Sequence, residues 1–394
     1  MTYCRLCCLP ARARRREPAM PHDVIAQITL SHVLLPLKRP ISDAKVMTGV
    51  QKPLTEVSLT FAEITTRDGH TGMGFGYVLR AGGKAQFAHA QELAPFLIGE
   101  DPNDIARLWH KLAWQGASVG RCGVAVQAIG AFDTALWDLK AKRAGLPLAK
   151  LLGAQREAVP TYNTSGGYFG TQIEEVCANA DRALANGIGG VKMKVGQPDV
   201  AEDIRRVVAL RKHLGDGVPI MIDANQQWDR TTALRFGRAV DELGLVWIEE
   251  PLDAHDYEGH AWLNARLDTP IATGEMLTSE ESLRRLIERE SVTYLQPDAP
   301  RFGGVSPFLN VASAAAQANL KLAPHFVMEI HLPLAAAYRG DTWVEHFEWF
   351  EPLFDERIEI RDGSMHLPKG PGFGLTISEQ TRHWIVASER FGAS

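Results

Sequence analysis

The sequence is poor in cysteine, has no excess of basic residues and contains no long apolar run. Its 394 residues include five cysteines, three of them within the first eight positions, which argues against a disulfide-stabilised scaffold and fits a reducing cytoplasm. The net charge of −5 argues against a nucleic-acid-binding protein, because such domains usually carry a basic face. No apolar stretch reaches the roughly 18 residues that span a bilayer. We therefore expect a cytoplasmic protein that binds neither nucleic acid nor membrane.

The first 22 residues differ in composition from the rest of the chain. They combine a cluster of Cys4, Cys7 and Cys8 with an arginine-rich stretch, and they lack the apolar core of a secretory signal. A metal site there would need ligands from elsewhere in the chain. We expect residues 1–22 to be a disordered extension, or translation to begin near Met20, and we leave them out of the fold.

Residues 23–153 have the pattern of a small α+β domain. Two stretches rich in apolar and β-branched residues, 25–36 and 55–66, are typical of strands. Apolar side chains then recur at helical spacing from 123 to 145. Because strands are followed by helices without alternation, we expect an antiparallel sheet with helices packed against it.

From 154 to 352 the pattern changes to repeated strand–helix units. The predicted strands are 190–195, 219–223, 245–249, 270–273, 292–295, 321–323 and 343–347, and the predicted helices are 173–185, 201–214, 232–243, 279–287 and 306–318. This alternation predicts an α/β fold with a parallel sheet, closed as a TIM-type (β/α)7β barrel. The alternative is a doubly wound sheet, which would carry a glycine-rich phosphate turn after its first strand. The glycines at 187–190 instead precede a strand.

Ionisable or amide side chains stand at or just after the end of nearly every strand predicted in this repeat. They are Lys192, Lys194, Asp223, Asn225, Glu249, Glu275, Asp298, His325 and Glu345. From Lys194 onward, successive strand ends carry these residues at intervals of 20 to 29 residues, about one strand–helix unit each. Because the carboxyl ends of barrel strands converge on one mouth, we expect the side chains to meet there.

Three of these residues form a ligand set that suits a hard metal ion. Asp223, Glu249 and Glu275 include no histidine or cysteine among them, as Mg²⁺ prefers. Without a cation they would repel one another, and some would take up protons. Each acid alone is equally typical of a solvent-exposed strand end, but three at matched positions favour a metal site.

Two lysines and a histidine–aspartate pair are candidate acid–base groups. Lys192 and Lys194 lie two apart on one strand and so face the same side. Beside a divalent cation we expect lowered pKa values and a neutral amine that can act as a base. Asp298, one unit before His325, can accept the second ring N–H of that histidine and fix its tautomer. The alternatives are a solvated lysine pair and a structural histidine. Glu345 is either a rim acid or a neutral carboxyl that donates a hydrogen bond to a substrate carboxylate.

The ordered set of motifs resembles the mandelate racemase group of the enolase superfamily. The matching strings are KMK at 192–194, DANQQ at 223–227, WIEEP at 247–251, ATGE at 272–275, QPD at 296–298 and APH at 323–325. The resemblance covers residues 24–390. Within that group, the segments 162–168, 273–279 and 322–349 are similar to dehydratases that act on L-talarate and galactarate.

The resemblance implies a Mg²⁺-dependent acid-sugar dehydratase, a carbon–oxygen lyase of acid-sugar catabolism. Its capping domain, 23–153 with the returning segment 353–394, would cover the mouth of a barrel formed by 154–352. The implied residues are the Mg²⁺ ligands Asp223, Glu249 and Glu275, the acid–base pair Lys194 and His325 with the orienting Asp298, and the carboxylate-stabilising Lys192 and Glu345. Asn225 would contact a substrate hydroxyl, and Arg80 and Lys84 the far carboxylate of a diacid. The partners would be a small acid sugar and further copies of the chain in a homo-oligomer.

Other enzymes of the same group remain as alternatives. Racemases, epimerases and cycloisomerases share the abstraction of an α-proton, and the residues above do not separate them from dehydratases. A metal-dependent hydrolase on the same barrel would normally carry histidine ligands, which the predicted strand ends lack. A non-catalytic binding protein would be expected to have lost a ligand or a base, and all are present here.

Overall fold

The computed structural model of the protein describes residues 23–392. The expectation for residues 1–22 therefore lies outside the described part of the chain. Within that part, an antiparallel sheet with its helices precedes a long strand–helix repeat, as the change of pattern near residue 154 indicates. No helix of residues 23–392 has the length and apolarity needed to cross a membrane.

The N-terminal part is built on an antiparallel sheet whose first three strands pair in chain order. These strands are β1 (Ile25–Ile41), β2 (Leu54–Thr66) and β3 (Thr71–Leu79). The accompanying helices are α1 (Ala44–Met47), α2 (Gly83–Leu93), α3 (Ile105–Gln115), α4 (Val124–Arg143) and α5 (Leu148–Leu151). Both predicted strands and the predicted central helix are present.

Helix α4 packs directly on strand β3 because the strand carries glycines at the contact. A Cβ atom at Gly72 would lie 2.2 Å from the carbonyl oxygen of Ala135, and one at Gly74 would lie 2.3 Å from that of Ala131. Any larger residue would separate the helix from the sheet. This close approach gives the N-terminal part a hydrophobic core of its own, centred on Phe132.

Eight parallel strands alternate with seven helices in the second part. The strands are β4 (Ala158–Asn163), β5 (Gly190–Lys194), β6 (Ile220–Asp223), β7 (Trp247–Glu249), β8 (Ile271–Thr273), β9 (Tyr294–Leu295), β10 (Lys321–Leu322) and β11 (Val344–His346). The helices are α6 (Ile173–Ala185), α7 (Val200–Leu214), α8 (Arg230–Val240), α9 (Tyr257–Asn264), α10 (Glu280–Glu288), α11 (Val305–Gln317) and α12 (Met328–Ala337). The sequence patterns did not predict α9 and α12.

The strand order confirms the predicted (β/α)7β barrel. Strands β4 to β10 pair in chain order, and β11 pairs with β4. An isolated bridge between Leu322 and Thr342 joins β10 to the start of β11, and the amide of Trp343 donates to the carbonyl oxygen of Leu322 at 3.0 Å. A doubly wound sheet would reverse its strand order, which this one does not.

The C-terminal segment connects the barrel to the N-terminal sheet. It contains β12 (Ile360–Arg361), β13 (Ser364–His366), α13 (Glu379–His383) and β14 (Ile385–Gly392). Strand β13 pairs antiparallel with β4, and β14 pairs antiparallel with β1. The end of the described chain therefore lies on the N-terminal sheet rather than on the barrel.

Candidate active site

A cavity of about 220 Å³ lies at the carboxyl ends of the barrel strands, beneath the N-terminal part. Its barrel side includes Lys194, Glu275 and His325, and its other side includes Lys45 and Arg80. Side chains more than a hundred residues apart in sequence therefore share one enclosure.

The three candidate metal ligands come together at the edge of this cavity, which Glu275 lines. Asp223, Glu249 and Glu275 each present a carboxylate oxygen, and these oxygens lie within 4.8 Å of one another. All three side chains are buried, and Oε2 of Glu275 has no hydrogen bond within the described chain. Buried carboxylate oxygens that converge without enough donors match the ligand preference of a hard divalent cation.

Burial and mutual repulsion act differently on these acids. Burial raises the pKa of Glu249 to about 8, with Asp223 and Glu275 adding to the effect and Lys192 opposing it. Burial also disfavours the ionised form of Asp223, but the charges of Lys194 and Lys192 lower its pKa to about 2. The raised pKa of Glu249 agrees with the expectation that some of these acids take up protons without a cation, which stays a prediction.

The two lysines of β5 both face the acids. Nζ of Lys192 lies 2.7 Å from Oε1 of Glu249, 2.8 Å from Oε1 of Glu345 and 3.7 Å from Oδ2 of Asp223. Nζ of Lys194 donates a hydrogen bond to Asp223. Each lysine is therefore held in place by carboxylates.

Among the protein groups alone, the pKa values of both lysines are raised, and the lowering expected beside a divalent cation stays a prediction. Burial disfavours the ammonium of Lys192, but Glu249 and Glu345 outweigh it and hold the pKa well above its usual range. Burial opposes ionisation of Lys194 too, yet Asp223 raises its pKa. The reason is that carboxylates, rather than a neighbouring cation, set the local charge.

His325 and Asp298 form the expected pair. Nδ1 of His325 donates to Oδ2 of Asp298 at 2.8 Å, which leaves Nε2 directed into the cavity, 3.4 Å from Oε2 of Glu275. Burial lowers the pKa of His325, but Glu275 and Asp298 outweigh it and raise the pKa above its ordinary value. The histidine is thus oriented by one acid and faces another.

Lys194 and His325 lie at different ends of the acid cluster. Lys194 contacts Asp223, whereas His325 approaches Glu275. Their strands, β5 and β10, stand three positions apart in one direction around the ring and five in the other. Two ionisable side chains therefore flank the place where the three carboxylates converge.

Glu345 accepts hydrogen bonds from neighbouring groups of the barrel, and the donation expected from it toward a substrate carboxylate stays a prediction. Its Oε1 accepts from Lys192 and from the hydroxyl of Thr164, and its Oε2 accepts from the amide of Phe326 at 2.7 Å. Burial opposes ionisation, but the charges of Lys192 and His325 lower the pKa of Glu345 to about 2. Because every hydrogen bond it makes uses it as an acceptor, Glu345 is an ionised acceptor in this arrangement.

The backbone at the mouth is strained. Asn225, Gln226, Glu250, Phe326 and Val327 have φ of 43°, 65°, 41°, 56° and 25°, values that residues other than glycine rarely adopt. All five follow barrel strands. Such strain persists only where the surrounding structure imposes it, and it concentrates at functional sites.

Comparison with known proteins agrees with this geometry. The family described as mandelate racemase / muconate lactonizing enzyme, N-terminal domain, matches residues 26–153, and the enolase C-terminal domain-like family matches 175–381. The chain belongs to the mandelate racemase group of the enolase superfamily.

Three relatives of this group are particularly similar. The chain is 58% identical to L-talarate/galactarate dehydratase of Salmonella typhimurium over 96% of both proteins, and the structure of that enzyme with Mg and L-lyxarohydroxamate superimposes with a TM-score of 0.95 over 98% of both chains. L-talarate dehydratase of Polaromonas sp. JS666, complexed with Mg and L-glucarate, is 61% identical, with a TM-score of 0.93 over 94% of this chain and 100% of the other. A 3,6-anhydro-alpha-L-galactonate cycloisomerase of Streptomyces coelicolor is 36% identical over 82% of this chain and 90% of the relative.

The predicted substrate-binding residues of this superfamily member fall into two sets. Asn225 lines the cavity, and its buried Oδ1 has no hydrogen bond within residues 23–392. Arg80 also lines the cavity, but its guanidinium donates to the carbonyl oxygen of Lys52 and to Oδ2 of Asp43, the latter at 3.0 Å. Lys84 is exposed on α2 and is not part of the cavity lining. The structure thus brings Asn225 and Arg80 to the site, but not Lys84.

Two further residues of the site were missed. Arg301 follows β9 and lines the cavity, and the one hydrogen bond that its guanidinium makes within the described chain goes to Sδ of Met276 at 3.3 Å. Its position three residues after Asp298 was a usable signal, since it belongs to the same strand end. Tyr77 of β3 donates to Asp298, and no local pattern in the sequence indicates that contact.

Proposed function

We propose that the protein is a Mg²⁺-dependent acid-sugar dehydratase. It removes the α-proton of an aldarate such as L-talarate or galactarate and expels the β-hydroxyl as water, which yields a keto-deoxy diacid. The observation that carries this proposal is the placement of Lys194 and His325 on two sides of a buried three-carboxylate cluster. The 58% identity to the Salmonella dehydratase supports the reaction and the class of substrate.

The acid cluster is the proposed Mg²⁺ site. When bound there, the ion supplies electrostatic stabilisation of the negative charge that develops on a substrate carboxylate as its α-proton leaves. Asp223, Glu249 and Glu275 would hold the ion. Burial, together with the charges of Asp223 and Glu275, raises the pKa of Glu249 to about 8, and a cation bound there would favour its ionised form.

Proton transfer is assigned to Lys194 and His325. One of them accepts the α-proton as the C–H bond breaks. The electron pair of that C–H bond forms the new carbon–carbon double bond while the β C–O bond breaks. A protonated member of the pair gives its proton to the departing hydroxyl, so that water leaves. The enol then tautomerises to the ketone. Asp298 keeps Nδ1 of His325 protonated, so that Nε2 is the atom that exchanges protons.

Lys192 and Glu345 act on the carboxylate end of the substrate. The ammonium of Lys192, placed between Glu249 and Glu345, donates to a carboxylate oxygen and stabilises the charge that grows there. Glu345 anchors that ammonium as an ionised acceptor.

The rest of the substrate faces Asn225, Arg80 and Arg301. Asn225 contacts a hydroxyl near the reacting carbon. Both guanidinium groups line the cavity, Arg80 from the N-terminal part and Arg301 from the barrel. They suit the far carboxylate of a diacid, since guanidinium binds carboxylate through paired hydrogen bonds.

A substrate screen tests this function. The purified protein with Mg²⁺ is incubated with a panel of aldarate and aldonate stereoisomers, and keto-acid formation is measured in parallel with optical rotation. Keto-acid formation from L-talarate or galactarate is the expected result. A change of optical rotation without keto acid would instead assign the protein to the epimerases, which two flanking bases also favour.

Localisation and assembly complete the proposal. We place the enzyme in the cytoplasm, on the low cysteine content, with an acid sugar as its partner and no nucleic acid or membrane. We also propose a homo-oligomer. Its support is a pair of exposed apolar side chains near the end of α3, Trp114 at 57% and Val119 at 66% exposure, which a contact between copies would cover. Light scattering coupled to size exclusion measures the mass, and a monomer would contradict the assembly.

A further inference from the structure

A tyrosine from the N-terminal part reaches the histidine–aspartate pair of the barrel. Tyr77 lies on β3 and is 2% exposed. Its hydroxyl donates to Oδ2 of Asp298 at 2.5 Å, and the same oxygen accepts from Nδ1 of His325 at 2.8 Å. The other oxygen of Asp298 is buried and makes no hydrogen bond within the described chain. Oδ2 of Asp298 thus accepts one hydrogen bond from the N-terminal part, through Tyr77, and one from the barrel, through His325.

Packing alone does not account for the hydroxyl. The ring of Tyr77 meets Phe326 edge-on at 5.2 Å between centroids and Phe350 at 5.7 Å, contacts that phenylalanine would also make. A buried phenol needs a hydrogen-bond partner, and this one uses the acid that orients His325. The hydroxyl therefore adds a specific constraint on Asp298 that apolar packing cannot supply.

The segment that carries Asp298 is also held at two further points by the N-terminal part. Nε1 of Trp109 donates to the carbonyl oxygen of Gly303 at 2.8 Å. Asp133 accepts from the amide of Ser306 at 2.8 Å and from its hydroxyl at 2.6 Å. Because these contacts fix the turn between β9 and α11 against α3 and α4, the position of Tyr77 relative to Asp298 is well determined.

We propose that Tyr77 is a positioning residue, which holds Asp298 so that His325 presents Nε2 to the substrate. The histidine side of the site thereby depends on the docked N-terminal part, whereas Lys194, held by Asp223 within the barrel, does not. The inference rests on the proposed function, since it assigns the two bases to two sides of one substrate carbon. Removal of the hydroxyl should therefore impair proton transfer by His325 and leave proton transfer by Lys194 unchanged.

The test is Tyr77→Phe, with Tyr338→Phe as the matched control. The Tyr338→Phe variant also loses a hydrogen bond, the one that the hydroxyl of Tyr338 donates to the carbonyl oxygen of Leu320 at 2.5 Å. Tyr338 does not line the cavity. Exchange of the α-proton with deuterated solvent is followed with two substrates that are epimeric at the reacting carbon, in the presence of Mg²⁺. His325→Asn identifies the epimer served by the histidine.

We expect Tyr77→Phe to slow exchange of the histidine-served epimer and kcat by about 10- to 100-fold, the scale of a misplaced catalytic group. KM and exchange of the lysine-served epimer should change by less than about threefold, and Tyr338→Phe should resemble the parent. In an Asp298→Asn background, Tyr77→Phe should add little, because the two act as one unit.

Three results would overturn the inference. If Tyr77→Phe left exchange of the histidine-served epimer unchanged, the positioning role of Tyr77 would be refuted and the proposed function would not be affected. Equal loss for both epimers would show that the hydroxyl supports the whole site rather than His325. If the parent neither exchanged an α-proton nor formed a keto acid with any acid sugar, the proposed function would fail, and this inference with it.

Discussion

The two walls of the cavity are built differently. On the barrel wall, Lys192 is almost fully buried and contacts Asp223 and Glu249, which are themselves fully buried. On the opposite wall, Lys45 and Arg80 are partly exposed, and Arg80 is held by groups of the loop that follows β1, including Asp43. A preorganised wall suits chemistry common to a superfamily, whereas an exposed loop can vary with the substrate. The difference assigns proton transfer to one wall and recognition of the far end of the substrate to the other.

The largest effect should come from the proton-transfer groups of the barrel wall. Lys194→Ala or His325→Asn should lower kcat for dehydration by about 10³-fold or more, since a positioned acid or base contributes roughly 10²–10⁴-fold. Mg²⁺ affinity, measured by titration calorimetry, should stay within a few-fold of the parent. Parent-like turnover in either variant would refute the assigned role.

Next in size should be the loss of metal binding. Asp223→Asn removes one ligand charge and should weaken Mg²⁺ binding by about 10²-fold or more, because the remaining oxygens offer less charge to a hard cation. Glu281→Gln, on the exposed surface of α10, is the matched control and should bind Mg²⁺ as the parent does. Chelation of the metal should abolish turnover, and restored Mg²⁺ should recover it.

The recognition wall should respond through KM. Arg80→Ala should raise KM for a diacid by about 10-fold and leave kcat within about threefold, because it removes binding that the ground state and the transition state share. Lys84→Ala should change neither constant beyond twofold, since Lys84 does not line the cavity. A larger effect of Lys84→Ala than of Arg80→Ala would reverse the comparison.

The smallest effect should appear where the two parts dock. Burial raises the pKa of Asp133 from 3.8 to about 7, although the hydrogen bonds from Ser306 oppose the shift. Because the pKa is higher in the folded state, Asp133 is protonated in the folded protein and ionised in the unfolded chain between about pH 4 and 7. The free energy of unfolding therefore falls as pH rises through this range. Asp133→Asn should therefore gain stability relative to the parent between pH 5 and pH 8, by a few degrees in melting temperature. A constant difference across that range would contradict this.

The repeat of strand ends was visible in the sequence because it follows from local patterns. Asp223, Glu249 and Glu275 each follow a short apolar run, and a parallel barrel brings such positions together regardless of their separation. Helix α9 was missed because it has only eight residues, and α12 because it is buried on all sides and so shows no amphipathic period.

The facing wall and the local charges were beyond what the sequence indicates. Lys84 was expected, from the resemblance, to bind the far carboxylate of a diacid, but α2 begins at Gly83 after a left-handed Gly82 and leaves Lys84 on the exposed surface. The ionisation of Lys192, Lys194 and Glu345 depends on how many opposite charges lie within a few ångströms of each side chain. The spacing of residues along the chain does not show how many opposite charges surround a side chain.

The sequence alone determined that a barrel with a metal-binding, proton-abstracting mouth would form, since periodicity and residue type act through local backbone geometry. Only the tertiary structure decided which charges neutralise which, that Arg301 faces the cavity and that Tyr77 meets Asp298. Those contacts join residues from separate elements, and their distances depend on how the two parts dock. Electrostatic and hydrogen-bond energies change steeply over such distances, so they cannot be obtained before the fold is known.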